Sequence, residues 1–135
     1  MIDIRNTDRQ LMRNAFDETG YGCNFIGVGD TGEALRRLNT DVLPDLILLT
    51  LDPDAAGLQF VRTLKAEQDW RTIRVVAFSG GTGPQEAEAV YASGVSAYMT
   101  KPLDFDGHIR LASELLALDY KRTQNAGGTG MLLLP

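Results

Sequence analysis

The chain has 135 residues, 44% of them apolar and 23% charged, which is the composition of one globular domain and too short for an eight-fold βα barrel. Lys and Arg number 13 against 18 Asp and Glu, and the net charge of −5 argues against a protein that holds nucleic acid through its phosphates. One cysteine permits no intrachain disulfide, and no segment has the apolar length of a membrane span. We therefore expect a cytoplasmic protein without nucleic-acid or membrane partners.

Short apolar runs alternate with segments of helical periodicity, the pattern of successive βα units. Gly20 stops the first helix, Asp30 or Thr31 caps the second, and the run 46–49 is continuously apolar, as in a central strand covered on both faces. Strands are predicted over 1–4, 23–28, 46–49, 74–78 and 97–100. Helices are predicted over 7–18, through 34–38, and over 58–67, 84–93 and 105–118. These units predict an α/β protein with a five-stranded parallel sheet.

Candidate functional residues are those that follow the strands, because an open parallel sheet binds its ligands beyond the carboxyl ends of the strands. In chain order these residues are Arg5, Asn6, Asp30, residues 50–54, Ser79, Gly80 and Lys101. Polar and charged side chains dominate this set, so we expect the chemistry of the protein at this edge of the sheet.

Three ordered motifs end at these positions. The run PDLILL over 44–49 leads into an acidic loop with Pro53 and Gly57, VVAFS covers 75–79, and AYMTKP covers 97–102. On these motifs, the chain from residue 1 to about 119 resembles a response-regulator receiver domain of two-component phosphorelay signalling. The resemblance implies a three-layer, doubly wound (βα)5 flavodoxin-like fold and a signalling protein rather than an enzyme. Residues 120–135 are then a C-terminal extension.

The resemblance also implies a site. In the family, an aspartate that ends the third strand accepts a phosphoryl group from a sensor histidine kinase, with Mg²⁺ held by an acidic pair after the first strand. The carboxylate is the nucleophile, and the metal and a lysine neutralise the charge of the phosphoryl group. Carried over by position, the lysine is Lys101, followed by Pro102; the hydroxyl that contacts the phosphoryl group is Ser79, and the aromatic switch residue is Tyr98.

The phospho-acceptor position itself holds Thr50. A threonine ester is long-lived where an aspartyl phosphate is labile, so Thr50 would not carry a reversible signal. Asp52, two residues further on, is the candidate for a displaced acceptor and for a metal ligand; the alternative is a plain loop carboxylate. The resemblance therefore implies a degenerate, stand-alone receiver that acts through contacts with a sensor histidine kinase or another signalling protein. A phosphorylatable regulator that uses Asp52 is the alternative function.

The acidic pair is also incomplete. A first strand over 1–4 puts Arg5 and Asn6 at its positions, whereas an ungapped count back from the end of the first helix puts Asp3 and an isoleucine there. Neither register restores two carboxylates, so we expect no cofactor, and Mg²⁺ loses its usual ligands apart from Asp3. In the first register, Arg5 either lies beside Lys101 as a fixed cation in place of the metal or is a surface residue.

The segment GVGDTG over 27–32 matches the Gly-x-Gly-x-x-Gly motif of dinucleotide-binding proteins, with Asp52 beyond it where a ribose-binding acid is expected. Asp30 would, however, place a carboxylate against the pyrophosphate, and the chain lacks a second nucleotide-binding half. The alternatives are a nucleotide- or flavin-binding domain on the same fold, or a tight turn with a helix cap.

The fifth predicted helix carries two apolar stripes. One stripe consists of Phe105, Ile109, Ala112 and Leu116, and the other of Leu111, Leu115 and Leu118. One stripe covers the sheet, and we expect the second to bind a partner or a second copy in a homodimer. In receivers the face made by the fourth helix, the fifth strand and the fifth helix is the usual output and dimer surface. The single histidine, His108, is expected to be exposed on this helix.

The extension 120–135 carries glycines at 127, 128 and 130, and we do not expect it to continue the fifth helix. Its residues 131–134 are either an arm that packs on a dimer mate or a disordered tail. The segment 101–106 and this extension are similar to the phytochrome-associated response regulators.

Overall fold

The computed structural model describes residues 1–3, 5–20, 24–40, 43–51, 56–79, 85–126 and 133–134, with 85–86, 118–126 and 133–134 described by their backbone only. The helices are α1 (Asn6–Glu18), α2 (Thr31–Thr40), α3 (Ala56–Ala66), α4 (Gln85–Ser93) and α5 (Phe105–Ala126). The strands are β1 (Asn24–Phe25), β2 (Leu46–Thr50), β3 (Arg74–Phe78), β4 (Ala97–Met99) and β5 (Leu133–Leu134). Residues 1–3 precede α1 and are called the N-terminal segment.

Strand pairing is parallel throughout the part of the chain that the structure describes. β3 lies between β2 and β4, and β1 pairs with β5. The N-terminal segment joins these two groups, because Ile2 forms parallel bridges with Val28, just after β1, and with Leu49 of β2. The order across the sheet is therefore β1, N-terminal segment, β2, β3 and β4. This arrangement confirms the predicted doubly wound α/β fold.

The central strand β2 divides the core into two layers. Leu46 and Leu48 belong to the apolar cluster that α1 and α5 cover, and Ile47 and Leu49 belong to the cluster under α2, α3 and α4. Each of these four side chains is at most 1% exposed. Because alternate residues of a strand point to opposite faces, a strand covered on both faces is apolar throughout. The predicted central position of this run is confirmed.

α5 is longer than expected. The prediction ended this helix at 118, but α5 continues to Ala126 and so runs through the expected boundary at 119. Residues 119–126 contain neither Gly nor Pro, so nothing in them interrupts a helix, and the glycines begin only at 127. Beyond them, β5 pairs with β1 in the sheet of this same chain. None of the described helices, α5 included, combines the length and apolarity needed to cross a membrane.

The second apolar stripe of α5 is not free for a partner at the two positions whose side chains the structure describes. Leu111 is 8% exposed and Leu115 is 6% exposed, and both lie in the cluster with Met12 and Phe16 of α1. The expectation is wrong for these two leucines because α5 packs on α1 as well as on the sheet, which covers a wider arc of the helix. The side chain of Leu118 lies outside the described residues.

His108 is buried, although its helical position predicts an exposed side chain. Only 4% of the residue is exposed, and its Nδ1 lies 2.7 Å from the carbonyl oxygen of Asp104, just before α5. The ring therefore folds back on the start of the helix instead of projecting into solvent. Spacing along a helix predicts the direction in which a side chain leaves the backbone, but not a contact back to the carbonyl of the residue before the helix.

Candidate functional site

The candidate site lies at the edge of the sheet where the N-terminal segment and β2 end and the chain leaves β4. Four side chains meet there: Asp3, Asp8, Thr50 and Lys101. Asp3 ends the N-terminal segment, Thr50 ends β2, and Lys101 follows β4. Parallel strands end at a common edge, which is how residues 98 positions apart in sequence come into contact.

Asp3 is the centre of this group. Its side chain is only 1% exposed, and its Oδ2 accepts a hydrogen bond from the Thr50 hydroxyl at 2.7 Å and one from Lys101 Nζ at 2.6 Å. Its Oδ1 accepts a third from the backbone N–H of Arg5 at 2.9 Å. A buried charge is stable only when it is paired and hydrogen-bonded. The carboxylate of Asp3 meets both conditions through residues of the chain itself.

Lys101 bridges two carboxylates. Besides Asp3, its Nζ donates to Asp8 Oδ2 at 2.8 Å, and 21% of its side chain is exposed. Burial alone lowers the pKa of Lys101, but the hydrogen bonds and negative charges of Asp3 and Asp8 outweigh it and raise the pKa above its usual 10.5. Lys101 therefore remains a fixed cation at neutral pH.

The sequence reasoning missed Asp8. This residue lies in the first turn of α1, where the helix dipole favours a carboxylate, and the first turn of a helix that follows a strand opens at the same sheet edge as the site. These two signals were available in the sequence. Arg5 Nε also approaches Asp8 Oδ2, at 3.8 Å, but 71% of the Arg5 side chain is exposed. Arg5 therefore lies at the rim, and Lys101 is the cation between the carboxylates.

The structure places Asp3, and neither Arg5 nor Asn6, beside Lys101. Ile2 is bridged on both sides, so the N-terminal segment reaches the sheet edge at Asp3. Asn6 begins α1, and its Oδ1 accepts a hydrogen bond from Arg9 Nη2 at 3.2 Å. Arg9 also donates to the backbone carbonyl of Asp3. This geometry corresponds to the register counted back from the first helix.

Thr50 is half-buried at the position that the resemblance gives to the phospho-acceptor. Its backbone N–H donates to the carbonyl oxygen of Ile2 at 3.0 Å, and its hydroxyl donates to Asp3. A hydroxyl becomes a nucleophile when an adjacent base takes its proton. The Asp3 oxygen that accepts from the Thr50 hydroxyl also accepts a hydrogen bond from Lys101 Nζ at 2.6 Å. The base nearest to the Thr50 hydroxyl is therefore already paired with a cation.

Three other predicted site residues lie on β4 or just after β3 and β4. Ser79 follows β3, and its backbone N–H donates to the carbonyl oxygen of Met99 at 2.8 Å. Tyr98 lies in β4 with its ring edge-on to Tyr91 of α4, the two centroids 6.4 Å apart. Pro102 lines a groove of about 410 Å³ beside the start of α5. The structure thus places Tyr98 toward α4 and Pro102 toward α5.

The glycine-rich loop forms the turn and helix cap that were one of its two interpretations. The backbone N–H of Glu33 donates to Asp30 Oδ1 at 2.8 Å, which caps α2. A Cβ at Gly27 would come within 3.2 Å of Arg9 Cδ, so the side chain of Arg9 lies directly on this glycine. A carboxylate at the N-terminus of α2 and an arginine over the loop give the Gly-x-Gly-x-x-Gly pattern a structural explanation.

Comparison with known proteins shows the family. The model of the response regulator receiver domain matches residues 1–112 of the chain. The chain belongs to the response-regulator receiver family. Receiver domains are signalling modules that act in two-component systems by contact with histidine kinases and other signalling proteins.

Two relatives show how far this receiver has diverged in sequence. It is 26% identical over 121 residues to the probable methanogenesis regulatory protein FilR2 of Methanothrix harundinacea (strain 6Ac), a match that covers 85% of this chain and 78% of FilR2. It is 28% identical over 104 residues to the polar-differentiation response regulator DivK of Brucella ovis, covering 76% of this chain and 82% of DivK.

Solved structures show the same fold. The phosphorylated cyanobacterial phytochrome response regulator RcpA is similar with a TM-score of 0.74 at 22% identity, covering 84% of this chain and 86% of RcpA. The Mn²⁺-bound response regulator Rcp1 is similar with a TM-score of 0.74 at 20% identity, covering 86% of this chain and 88% of Rcp1. The resemblance to phytochrome-associated regulators is confirmed at the level of the fold.

The receiver family implies Mg²⁺ beside the acceptor position, and the described residues do not fit it. Among them, no group of three or more His, Cys, Asp or Glu side chains is placed to hold a metal ion. The ammonium of Lys101 lies between Asp3 and Asp8, 2.6 and 2.8 Å from their Oδ2 atoms, where a cation would need those oxygens. The other predicted ligand, Asp52, lies outside the described residues.

Proposed function

We propose that this receiver transmits a two-component signal through protein contacts, without phosphorylation at Thr50. The supporting observation is the position of Lys101, whose Nζ contacts Asp3 and Asp8 at 2.6 and 2.8 Å. In the family this lysine neutralises the phosphoryl group of the acceptor. Here it has two carboxylate partners inside the chain, so its ammonium is already paired without a phosphoryl group.

The chemistry at the acceptor position supports the same function. Thr50 offers a hydroxyl whose proton is already donated to Asp3 at 2.7 Å. Phosphorylation would remove that proton and place a dianion beside a buried carboxylate that is 1% exposed. Both steps are unfavourable without a second cation. The site therefore favours a constant state over a phosphorylation switch.

The direct test is the intact mass of the protein after incubation with acetyl phosphate and Mg²⁺. We expect no gain of a phosphoryl group, while a conventional receiver in the same tube is phosphorylated and shows that the donor is active. A gain that persists in the wild type and disappears in Asp52→Asn would overturn the proposal and would establish the phosphorylatable regulator that uses Asp52.

Thr50→Asp provides the matched test of the missing acceptor. The substitution supplies a carboxylate, but Lys101 remains paired with Asp3 and Asp8, and the metal ligands are not restored. We expect at most a trace of phosphorylation of this variant. Phosphorylation of Thr50→Asp to the extent of a conventional receiver would contradict our account of the ion-pair network.

We assign the output contact to the face of α4, β4 and α5. Three apolar side chains project there: Leu103 is 101% exposed, Tyr91 53% and Phe105 37%. The partner is a sensor histidine kinase or another signalling protein in the cytoplasm, or a second copy of the chain, and the net charge of −5 disfavours nucleic acid.

Leu103→Asp tests the homodimer: sedimentation velocity should show a smaller species for the variant than for the wild type. Identical sedimentation of two dimers would remove Leu103 from the interface.

The nucleotide- or flavin-binding alternative has a separate readout. A bound flavin or nucleotide gives the purified protein a visible or ultraviolet absorbance that survives gel filtration. We expect only the absorbance of the aromatic residues, because Asp30 and Arg9 already account for the glycine-rich loop.

A further inference from the structure

Lys65, in the last turn of α3, is held by backbone carbonyl groups. Its Nζ donates to the carbonyl oxygen of Ile73 at 2.8 Å and to that of Arg71 at 3.1 Å, both in the segment that leads from α3 into β3. Neither acceptor carries a charge, and within the part of the chain that the structure describes Lys65 forms no ion pair. Lys101, which lies between two carboxylates, is the opposite case.

The two hydrogen bonds of Lys65 do not require its positive charge. An ammonium has three N–H donors and a neutral amine has two, so a neutral Lys65 keeps both bonds. The lone pair of the neutral amine then points away from the two carbonyl oxygens. Burial lowers the pKa of Lys65 from its usual 10.5, although the side chain is only half-buried and its bond to Arg71 lies at the surface. The environment of Lys65 therefore favours a nucleophilic amine that solvent can reach.

The stem of Lys65 packs on the turn that ends α4. A Cβ at Gly94 would lie 2.9 Å from Lys65 Cγ, and the φ of Gly94 is +109°, a conformation that glycine adopts readily and other residues rarely do. Gly94 N–H donates to the carbonyl oxygen of Tyr91 at 3.1 Å, and Ser96 N–H donates to that of Val75 at 2.8 Å where β4 begins. Lys65 therefore contacts both the approach to β3 and the connection from α4 to β4.

We propose that Lys65 is an acylation site for small activated acyl donors, an acyl phosphate or a thioester, and that acylation loosens the connection from α4 to β4. The Nζ lone pair attacks the carbonyl carbon of the donor, so a C–N bond forms and the C–O or C–S bond of the donor breaks. Phosphate or thiolate leaves with the bonding electron pair, and the amine gives up its proton to water. The product is a neutral amide.

The amide product cannot hold both carbonyl oxygens. Its nitrogen carries one N–H, which donates to Ile73 or to Arg71 but not to both. The segment between α3 and β3 therefore loses one of its two bonds to Lys65, and the stem of Lys65 shifts on Gly94. Through the last turn of α4 this change reaches Tyr91, which lies on the face of α4, β4 and α5. Its effect on output rests on the proposed function, in which that face carries the output contact.

Acetylation of the folded and the unfolded chain tests the site. The chain has three lysines, and peptide mass mapping after a limited dose of acetyl phosphate follows each of them separately. In the folded protein we expect Lys65 to be acetylated at least about tenfold faster than Lys101. In urea the two rates should become similar, because both environments are lost. A Lys65 that reacts no faster than Lys101 in the folded protein, or a difference that persists in urea, would overturn the proposal.

A second donor identifies the source of the acyl group. The labelling of the folded protein is repeated with a small acetyl thioester in place of acetyl phosphate. Selective labelling of Lys65 by one donor or by both supports the site and shows which leaving group it accepts. Selective labelling by neither would overturn the proposal.

Amide hydrogen exchange tests the structural consequence. Lys65→Gln imitates the neutral amide, and Lys65→Arg keeps a cation with N–H donors and is the matched control. We expect the amide of Ser96 to exchange about fivefold faster in Lys65→Gln than in wild type, and less than about twofold faster in Lys65→Arg. The amide of Thr50 should be unaffected. Equal exchange at Ser96 in all three proteins would overturn the link to β4, and acetylated wild type gives the same comparison if Lys65→Gln does not fold.

The incubation with acetyl phosphate also separates this proposal from the proposed function, because acetyl and phosphoryl groups add different masses. A phosphoryl group on Asp52 would overturn the proposed function and leave the acylation of Lys65 unaffected. Failure to acetylate Lys65 selectively would overturn the acylation site and leave the account of Lys101 and Thr50 unaffected.

Discussion

The two ends of the N-terminal segment are held by different kinds of interaction. At Asp3 the contacts are made by side chains, with Lys101 at 2.6 Å and Thr50 at 2.7 Å. At Met1 they are made by the backbone, through the carbonyl oxygen of Ile26 and the N–H of Val28, and the adjacent β1 pairs with β5. The first end is therefore sensitive to single charges and to pH, and the second to anything that changes the path of the backbone.

Removal of the bridging cation should have the largest effect. Lys101→Met leaves a carboxylate that is 1% exposed without its ammonium, and we expect the free energy of unfolding to fall by about 3–5 kcal/mol. Urea denaturation measures it. The double variant Asp3→Asn with Lys101→Met should recover part of the lost stability, since it also removes the negative charge of Asp3 that Lys101→Met leaves unpaired. Additive losses in the double variant would show that the two residues do not interact.

Loss of the hydroxyl at Thr50 should cost less. Thr50→Val keeps the shape of the side chain but removes a hydrogen bond to a charged group, and we expect a loss of about 1.5–2 kcal/mol. Thr63→Val is the control, because the Thr63 hydroxyl donates to the carbonyl oxygen of Gln59 on the exposed side of α3. That variant should change the unfolding free energy by less than about 0.5 kcal/mol. Equal losses of unfolding free energy in both variants would show that the hydrogen bond to Asp3 contributes no more to stability than an exposed one.

The backbone end of the comparison should respond more weakly in stability than the charged end. Leu134→Pro removes one donor from a two-residue strand, so we expect a loss of about 1 kcal/mol in urea denaturation. The same variant should leave the pH dependence of stability unchanged, because no ionisable group is altered. A change in that dependence would show that the two ends are not separable in this way.

Alkaline pH tests the charged end on its own. The pKa of Lys101 is higher in the folded protein than its usual 10.5, so its contribution to stability is complete below that pH and is lost as the pH rises through the folded-state value. Lys65 acts in the opposite sense, because burial lowers its pKa. Unfolding measured between pH 9 and about 11.5 should therefore decline more steeply for Lys65→Met than for Lys101→Met. The reverse order would contradict the assigned pairing.

The smallest effect should come from the rim. Arg5→Ala removes a side chain that is 71% exposed and lies 3.8 Å from Asp8, and we expect a change in unfolding free energy within about 0.5 kcal/mol. This result would show that Lys101, and not Arg5, is the cation that stabilises the carboxylates. A loss of unfolding free energy similar to that of Lys101→Met would show that Arg5 also neutralises the carboxylates of the site.

The sequence predicted the parts of this receiver that depend on local pattern. The apolar run 46–49 identified the central strand because a strand covered on both faces has no polar position, and β3 begins and ends where the pattern placed it. Lys101 and Thr50 were identified because each lies at or just beyond the end of a strand. Local pattern was sufficient wherever a residue's environment follows from its own element.

The sequence failed where two distant elements decide the outcome. Leu111 and Leu115 were expected to be free, and only the packing of α5 on α1 shows that they are buried. Asp8 joins the site because α1 begins at the edge where β2 ends, and finding it required combining its place in the first turn of α1 with the topology of the sheet. The pairing of Leu133 and Leu134 with β1 depends on a partner more than 100 residues away in the chain. Such contacts follow from topology and not from periodicity.

The double pairing of Lys101 also determines how the residue reacts with electrophiles. The neutral form of a lysine amine attacks acylating reagents, and the raised pKa of Lys101 reduces the fraction in that form, whereas the lowered pKa of Lys65 increases it. A limited dose of an amine-specific reagent should therefore label Lys65 before Lys101. The acylation rate of Lys101, followed by peptide mass mapping, therefore reports whether its ion pairs with Asp3 and Asp8 are intact.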